Sequence, residues 1–297
     1  MSYILITPII NEENNLIRLK NSILNQTIRP IFWVIIDSGS IDNSYQKAKE
    51  IFYNFDFIHV IKQKKMYEKG YSIKNFSQAI NEAYSYAKKY CLMNKIDYDF
   101  IGKTDATPIL DVNYYKELIK NMIKNDNLVI TCGRQKIFYN NQIINMNSFL
   151  NIESTGFNDI RLYRKNFFEK VNGYPIFYSP DSILLVKAKL YGYETKIIDD
   201  THFVKPRLSG SKIGIWNGNI LKGKTMYCLC YHPILMMANA LYNSLKVPPH
   251  YQVIPWIYGY FLALIHREEI YRDKSITTYF YKTRLIKILL KFARITK

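Results

Sequence analysis

The chain has 297 residues, 48% of them hydrophobic and 22% charged, with 26 Tyr and 16 Phe. That composition excludes a disordered or low-complexity protein and suffices for one large domain, with or without a smaller appendage. The formal charge of +17 points to an anionic partner such as nucleotide phosphates or an acidic membrane surface. No helix-turn-helix, zinc-finger or ribonucleoprotein signature accompanies that charge, so no nucleic-acid partner is expected. Cys91, Cys132, Cys228 and Cys230 include no Cys-x-x-Cys pair and read as reduced thiols of a cytoplasmic protein. The N-terminus lacks a signal-peptide pattern. No apolar run reaches the ~18–20 residues of a membrane-spanning helix, and Ile254–Ile265 comes nearest.

In chain order, Tyr3–Thr7 reads as a buried strand closed by Pro8, followed by a helix from Asn11 to about Asn25 with Leu16, Leu19, Ile23 and Leu24 on its apolar face. Ile31–Ile36 is a second buried strand running into Asp37-Ser-Gly-Ser-Ile-Asp42, where Gly39 permits a tight turn and Asp42 can cap the next helix. Phe57–Lys62 is a third strand. Ile73, Phe76, Ile80, Ala83 and Ala87 then mark a long amphipathic helix. Phe100-Ile-Gly-Lys-Thr-Asp-Ala-Thr-Pro108 is a strand ending in a carboxylate and a hydroxyl. Val112–Asn125 is helical, and Leu128–Cys132 is again a strand.

Strands alternating with helices predict an α/β fold with a Rossmann-like, mostly parallel sheet flanked by helices. The polar strand ends at 7–12, 37–42 and 103–107 converge on one edge, where ligands of open α/β sheets bind. No Gly-x-Gly-x-x-Gly turn or Walker loop occurs, so carboxylates would do the holding. Asp105 beside Thr107 suits a hard cation carrying a diphosphate; a turn-capping aspartate is the alternative. Asp181 opens the apolar run Ile183–Leu190 and is a candidate helix cap as much as a functional carboxylate.

Thr7-Pro-Ile-Ile-Asn-Glu-Glu-Asn14, Ile36-Asp-Ser-Gly-Ser-Ile-Asp-Asn43 and Lys103-Thr-Asp-Ala-Thr107 resemble three ordered motifs of family 2 glycosyltransferases. A fourth segment resembles their acceptor half: Gly156-Phe-Asn-Asp-Ile-Arg-Leu-Tyr-Arg-Lys165, Val171-Asn-Gly-Tyr174 and Pro180-Asp181, with Gly192 downstream. The resemblance covers roughly residues 3–211. It implies a GT-A fold and an inverting transfer of sugar from a nucleotide-sugar donor to a hydroxyl of a glycan or lipid-linked acceptor.

By the same resemblance, Pro8, Asn11, Glu12, Asp37 and Ser38 line the donor pocket. Asp105 stands at the first carboxylate of the family's Asp-x-Asp motif, which binds Mg²⁺ or Mn²⁺ and the donor diphosphate, and Asp181 stands at the general base. Thr107 replaces the second carboxylate, Ser38 a frequent aspartate, and Pro180 the glutamate before the base. Those departures support an alternative, a catalytically impaired relative that binds nucleotide sugar or glycan without turnover. Lys103, Lys205 and Arg207 are basic candidates to stabilise the leaving diphosphate. His202 reads as a surface residue, and Asn81 as a packing or donor-contact residue.

From Trp216 onward the pattern is helical throughout, which divides the chain into a 1–215 catalytic domain and a 216–297 extension. Its last helix, over 284–297, places Leu285, Ile288, Leu289 and Phe292 on one side and Arg284, Lys287, Lys291 and Arg294 on the other. Such a helix either lies on an anionic membrane, on the inner face in a cytoplasmic protein, or packs its apolar face on the protein.

Overall fold

A computed structural model describes residues 1–67, 72–139, 142–145, 160–206, 214–246 and 250–286. The chain forms two compact units; the described residues through Pro206 belong to the first and those from Gly214 to the second.

The first unit opens with β1 (Tyr3–Ile9), α1 (Leu16–Leu24), β2 (Phe32–Asp37), α2 (Ser44–Phe52), β3 (Ile58–Lys62), α3 (Ile73–Met93) and β4 (Phe100–Lys103). These four strands are parallel in the order β3-β2-β1-β4. Next come β5 (Ile109–Leu110), α4 (Tyr114–Lys124), β6 (Leu128–Tyr139), β7 (Gln142–Asn145), β8 (Arg161–Arg164), α5 (Lys165–Lys170), α6 (Pro180–Leu190) and β9 (Glu194–Lys205). β8 inserts antiparallel between β4 and β6, giving the order β3-β2-β1-β4-β8-β6-β9-β5 with β7 on β6.

Two apolar layers sandwich the sheet. Tyr3 and Leu5 face a core shared with α1, α2 and α4. Ile4 and Ile6 face a core shared with α3, α5 and α6. Burial on both faces is why β1 and β2 read as continuous apolar runs rather than alternating ones.

Several local expectations shift. Pro8 does not close β1, which continues to Ile9. Ile6 O accepts from Thr104 N, so alternation turns the imide nitrogen of Pro8 to the same side, where β4 has already ended at Lys103. The missing donor therefore costs no ladder bond. The first helix starts at Leu16, not Asn11, because Asn11 adopts φ 52° and residues 11–15 form a turn. Asp42 lies outside α2 but does satisfy its start, its Oδ1 accepting from Ser44 N at 3.0 Å. The strand from Leu128 runs on to Tyr139.

The second unit contains α7 (Ile215–Cys228), α8 (Pro233–Lys246), α9 (Val253–Ile265), α10 (Lys274–Thr278) and a π-helical turn, Tyr279–Thr283. α7 and α9 cross in near backbone contact: a Cβ on Gly223 would sit 2.0 Å from Trp256 O, and one on Gly259 2.1 Å from Ile220 O. Trp256 Nε1 donates to Asn219 Oδ1 across this crossing. Among the described residues, no helix is long and apolar enough to cross a membrane. All four cysteines are free thiols. The sequence-predicted basic helix falls largely on 287–297, outside the described residues.

Candidate active site

The parallel strands end together at one edge of the first unit. Ile9 pairs with Asp37 and Asp37 with Lys62; Lys103, the last residue of β4, pairs with Ile6. The loops leaving β1 and β2 are joined by hydrogen bonds. Asn11 N donates to Ser40 Oγ at 3.0 Å, Ile41 N to Asn11 Oδ1 at 2.9 Å, and Glu12 N to Ser44 Oγ at 2.7 Å. Ser40 N donates to Asp37 Oδ1, and Ser38 Oγ to Gln63 Oε1. Glu12, Asp37 and Ser38 are buried, whereas Asn11 is exposed. The carboxamide of Asn11 is thus spent on shaping the adjoining loop.

β4 brings a buried cation to the same edge. Lys103, 2% exposed, packs over the Phe76 ring and places Nζ 3.0 Å from Asp105 Oδ1. That oxygen is buried and accepts no hydrogen bond, so the pairing with Lys103 is one of charge. Thr107 is nearly buried two residues on. Among the described residues, no group of three or more His, Cys, Asp and Glu is placed to hold a metal. A shielded carboxylate oxygen without a hydrogen bond nevertheless fits a hard cation whose remaining ligands are diphosphate oxygens and water.

Directly opposite Lys103 in the β4–β8 register stands Arg161. Its side chain is also 2% exposed, with Nε 3.3 Å from Asp181 Oδ1 and Nη1 donating to Asp181 O at 3.0 Å. Burial is the largest single influence and works against its charge, but Asp181, together with Tyr163, Tyr174 and Cys132, raises the guanidinium pKa overall. Like charges opposite each other on neighbouring strands repel. Here each cation is neutralised by its own carboxylate, so Asp105 and Asp181 are carried by paired residues of adjacent strands.

Asp181 does not act as the helix cap. The N-cap position of α6 is Ser179, Pro180 occupies the first turn, and no side-chain cap forms. Ser179 has φ 48°, a left-handed conformation that is uncommon for a residue with a Cβ and disfavoured before proline. Tyr174 Oη donates to Asp181 Oδ1 in a short hydrogen bond. Burial, then the neighbouring Asp181 charge, push the Tyr174 pKa far up, so it keeps the proton it donates. Tyr163, whose hydroxyl lies 3.5 Å from that of Tyr174, is pushed up to about 12 by burial first. Every side-chain contact of Asp181 falls on Oδ1; among the described residues, Oδ2 has no partner.

Asn81 holds the Tyr174 backbone from α3. Its Nδ2 donates to Tyr174 O and its Oδ1 accepts from Tyr174 N, both at 2.8 Å. Gly173 makes the approach possible: φ is +75°, and a Cβ there would sit 2.6 Å from Asn81 Oδ1. His202 lies 4.0 Å from Asp111 Oδ2, and Lys205 is buried at the end of β9. Arg207 lies outside the described residues.

Sequence reasoning missed Arg161, Tyr174 and Gln63 as site residues. Arg161 and Tyr174 stood inside the segments that resemble the acceptor half but were given no role there. Gln63 had no signal, because its partner Ser38 is 25 residues away.

A family model described as Glycosyl transferase family 2 matches residues 4–188, from β1 to α6 and across both carboxylates. The chain belongs to this family. Solved glycosyltransferases share its GT-A fold. Residues 1–349 of S. aureus TarS, in complex with UDP-GlcNAc, align at TM-score 0.56 and 17% identity, covering 87% of this chain and 79% of that one. The mannosyltransferase PcManGT from Pyrobaculum calidifontis, in complex with GDP-Man and Mn²⁺, aligns at 0.54 and 14%, covering 97% and 83%. GalNAc-T7 with UDP, GalNAc and Mn²⁺ aligns at 0.54 and 12%, covering 94% and 56%. No curated protein matches the chain by sequence. Membership of glycosyl transferase family 2 makes the protein a glycosyltransferase; the sugar and the acceptor are matters of the site.

Proposed function

We propose that the protein is an inverting glycosyltransferase of the hexosyltransferase type, moving a sugar from a nucleoside-diphosphate donor to a hydroxyl of a glycan or lipid-linked acceptor. The observation that carries this reading is the Lys103–Arg161 pair with Asp105 on one member and Asp181 on the other. The complexes of TarS with UDP-GlcNAc, PcManGT with GDP-Man and GalNAc-T7 with UDP and GalNAc support the nucleotide-sugar part. On this reading Pro8, Asn11, Glu12, Asp37 and Ser38 form the wall against the nucleoside. Lys103 and Asp105 lie at the diphosphate.

Asp181 Oδ2 takes the proton of the acceptor hydroxyl as the acceptor's own oxygen bonds to the anomeric carbon. The carbon–phosphate oxygen bond breaks with its electron pair leaving on the diphosphate, whose charge Lys103 offsets. Mg²⁺ or Mn²⁺, held by Asp105 with Thr107 beside it, would add charge neutralisation at the leaving group. The Mn²⁺ in two of the related structures supports that assignment. Tyr174 and Arg161 keep Oδ1 engaged, which aims Oδ2 at the acceptor. The proposed location is cytoplasmic, peripheral to the membrane.

A panel of nucleotide sugars scored for thermal stabilisation and hydrolysis, with and without Mn²⁺, tests the reading. One donor should raise Tm and be turned over. Stabilisation without turnover by any preparation would favour the impaired alternative that Thr107 and Pro180 suggest, and no stabilisation by any donor would overturn both.

A further inference from the structure

The charge of this chain is unevenly placed. Residues 207–297 hold 14 of the 41 Lys and Arg but 3 of the 24 Asp and Glu, so +11 of the +17 lies in less than a third of the sequence. From Thr201 to Arg267 there is no acidic residue at all. The three acids that follow are engaged. Glu268 lies 2.5 Å from Lys224, Glu269 lies 3.5 Å from Arg272, and Asp273 accepts from the backbone at the start of α10.

The same unit carries two exposed apolar stripes. On α8, Ile234, Met237, Leu241 and Leu245 recur at helical spacing and are exposed, the last at 79%, while Leu235, Met236 and Ala240 are buried. On α9, Ile254, Tyr258, Phe261 and Ile265 do the same, Ile265 at 75%, while Trp256, Gly259, Tyr260 and Ala263 are buried against the rest of the unit. Each helix thus buries one apolar face and leaves another open, and α9 carries no charge anywhere along its length. Trp216 and Tyr251, half-exposed and in ring contact, lie close to the start of α9 in the chain or the fold. Arg267, Arg272 and Lys274 are exposed just beyond its end. Apolar helix faces with aromatic and cationic residues at their ends match the layering of a bilayer interface.

We propose that the open faces of α8 and α9 lie in the headgroup region of an anionic phospholipid bilayer and hold the enzyme there peripherally. Charge decides the occupant. The stretch 207–297 carries a net +11 in sequence, so two copies meeting through this unit would repel, whereas an anionic leaflet attracts it. The inference does not depend on the roles of Asp105 and Asp181. It also differs from the sequence-based expectation, which placed membrane contact in the last helix.

Co-sedimentation of the full chain with vesicles of phosphatidylcholine alone, or of phosphatidylcholine and phosphatidylglycerol in equal parts, tests it. The protein should pellet with the anionic vesicles and not the neutral ones. The double variant Ile254→Glu, Phe261→Glu should lose at least tenfold in partitioning at unchanged Tm. Ile254→Ser, Phe261→Ser gives the same readout should the acidic pair misfold. Charge reversal in the tail, Lys291→Glu with Arg294→Glu, should leave binding largely in place. The proposal is overturned if the wild type ignores anionic vesicles, if tail reversal abolishes binding while the face variants bind normally, or if light scattering shows a dimer that the face variants split.

Discussion

Lys103 and Arg161, both nearly inaccessible to solvent, stand opposite each other across β4 and β8, and each turns toward a different carboxylate. On the proposed reading Lys103 serves the departing diphosphate while Arg161 holds the base, and each cation has its own carboxylate beforehand. Arg161→Met leaves Asp181 without its counter-ion and should cost about 3 kcal/mol of stability, read as a lower urea midpoint. Lys103→Met frees Asp105 instead, and should weaken donor binding more than it lowers Tm.

Asn81 reaches Asp181 only through Tyr174, which makes it a positioning residue. Asn81→Ala removes two hydrogen bonds to a buried backbone segment and should cost about 1–3 kcal/mol. Its signature is kinetic: kcat should fall while donor affinity by calorimetry stays near wild type. An unchanged kcat at full occupancy would show that the Asn81 clamp serves packing alone.

Tyr174 donates to the carboxylate with a proton it keeps at every working pH. Tyr174→Phe removes one of the two side-chain holds on Oδ1 and should lower kcat while donor affinity by calorimetry stays near wild type. An unchanged kcat at full occupancy would contradict the assignment.

On the proposed reading Thr107 stands where a second carboxylate would serve a divalent cation. Thr107→Asp should lower the Mn²⁺ concentration needed for half-maximal activation, because a charged oxygen replaces a neutral one. Stripping metal with EDTA should slow wild-type turnover, and Mn²⁺ should restore it.

Much of this was legible in the chain because it is local. Continuous apolar runs revealed β1 and β2 as buried strands and the short run Phe100-Ile101 marked β4, and the polar residues after them marked the ligand edge. Other features depend on tertiary pairing. Pro8 looked like a strand end because its missing donor is harmless only when the neighbouring strand has stopped, which no local pattern shows. Asn11 looked like the start of a helix until its carboxamide proved to be needed by Ile41 N. Asp181 carried signals for both cap and base; the N-cap position falls on Ser179, which removes the cap reading and leaves the base as a proposal. The register that sets Lys103 against Arg161 joins residues 58 positions apart, beyond any spacing argument.

The most direct test compares Asp105→Asn with Asp181→Asn, using one donor from the panel, with affinity measured by calorimetry and transfer by product formation. Asp181→Asn should bind the donor as the wild type does and form no product, while Asp105→Asn should bind weakly. Product formation by Asp181→Asn at the wild-type rate would contradict the account.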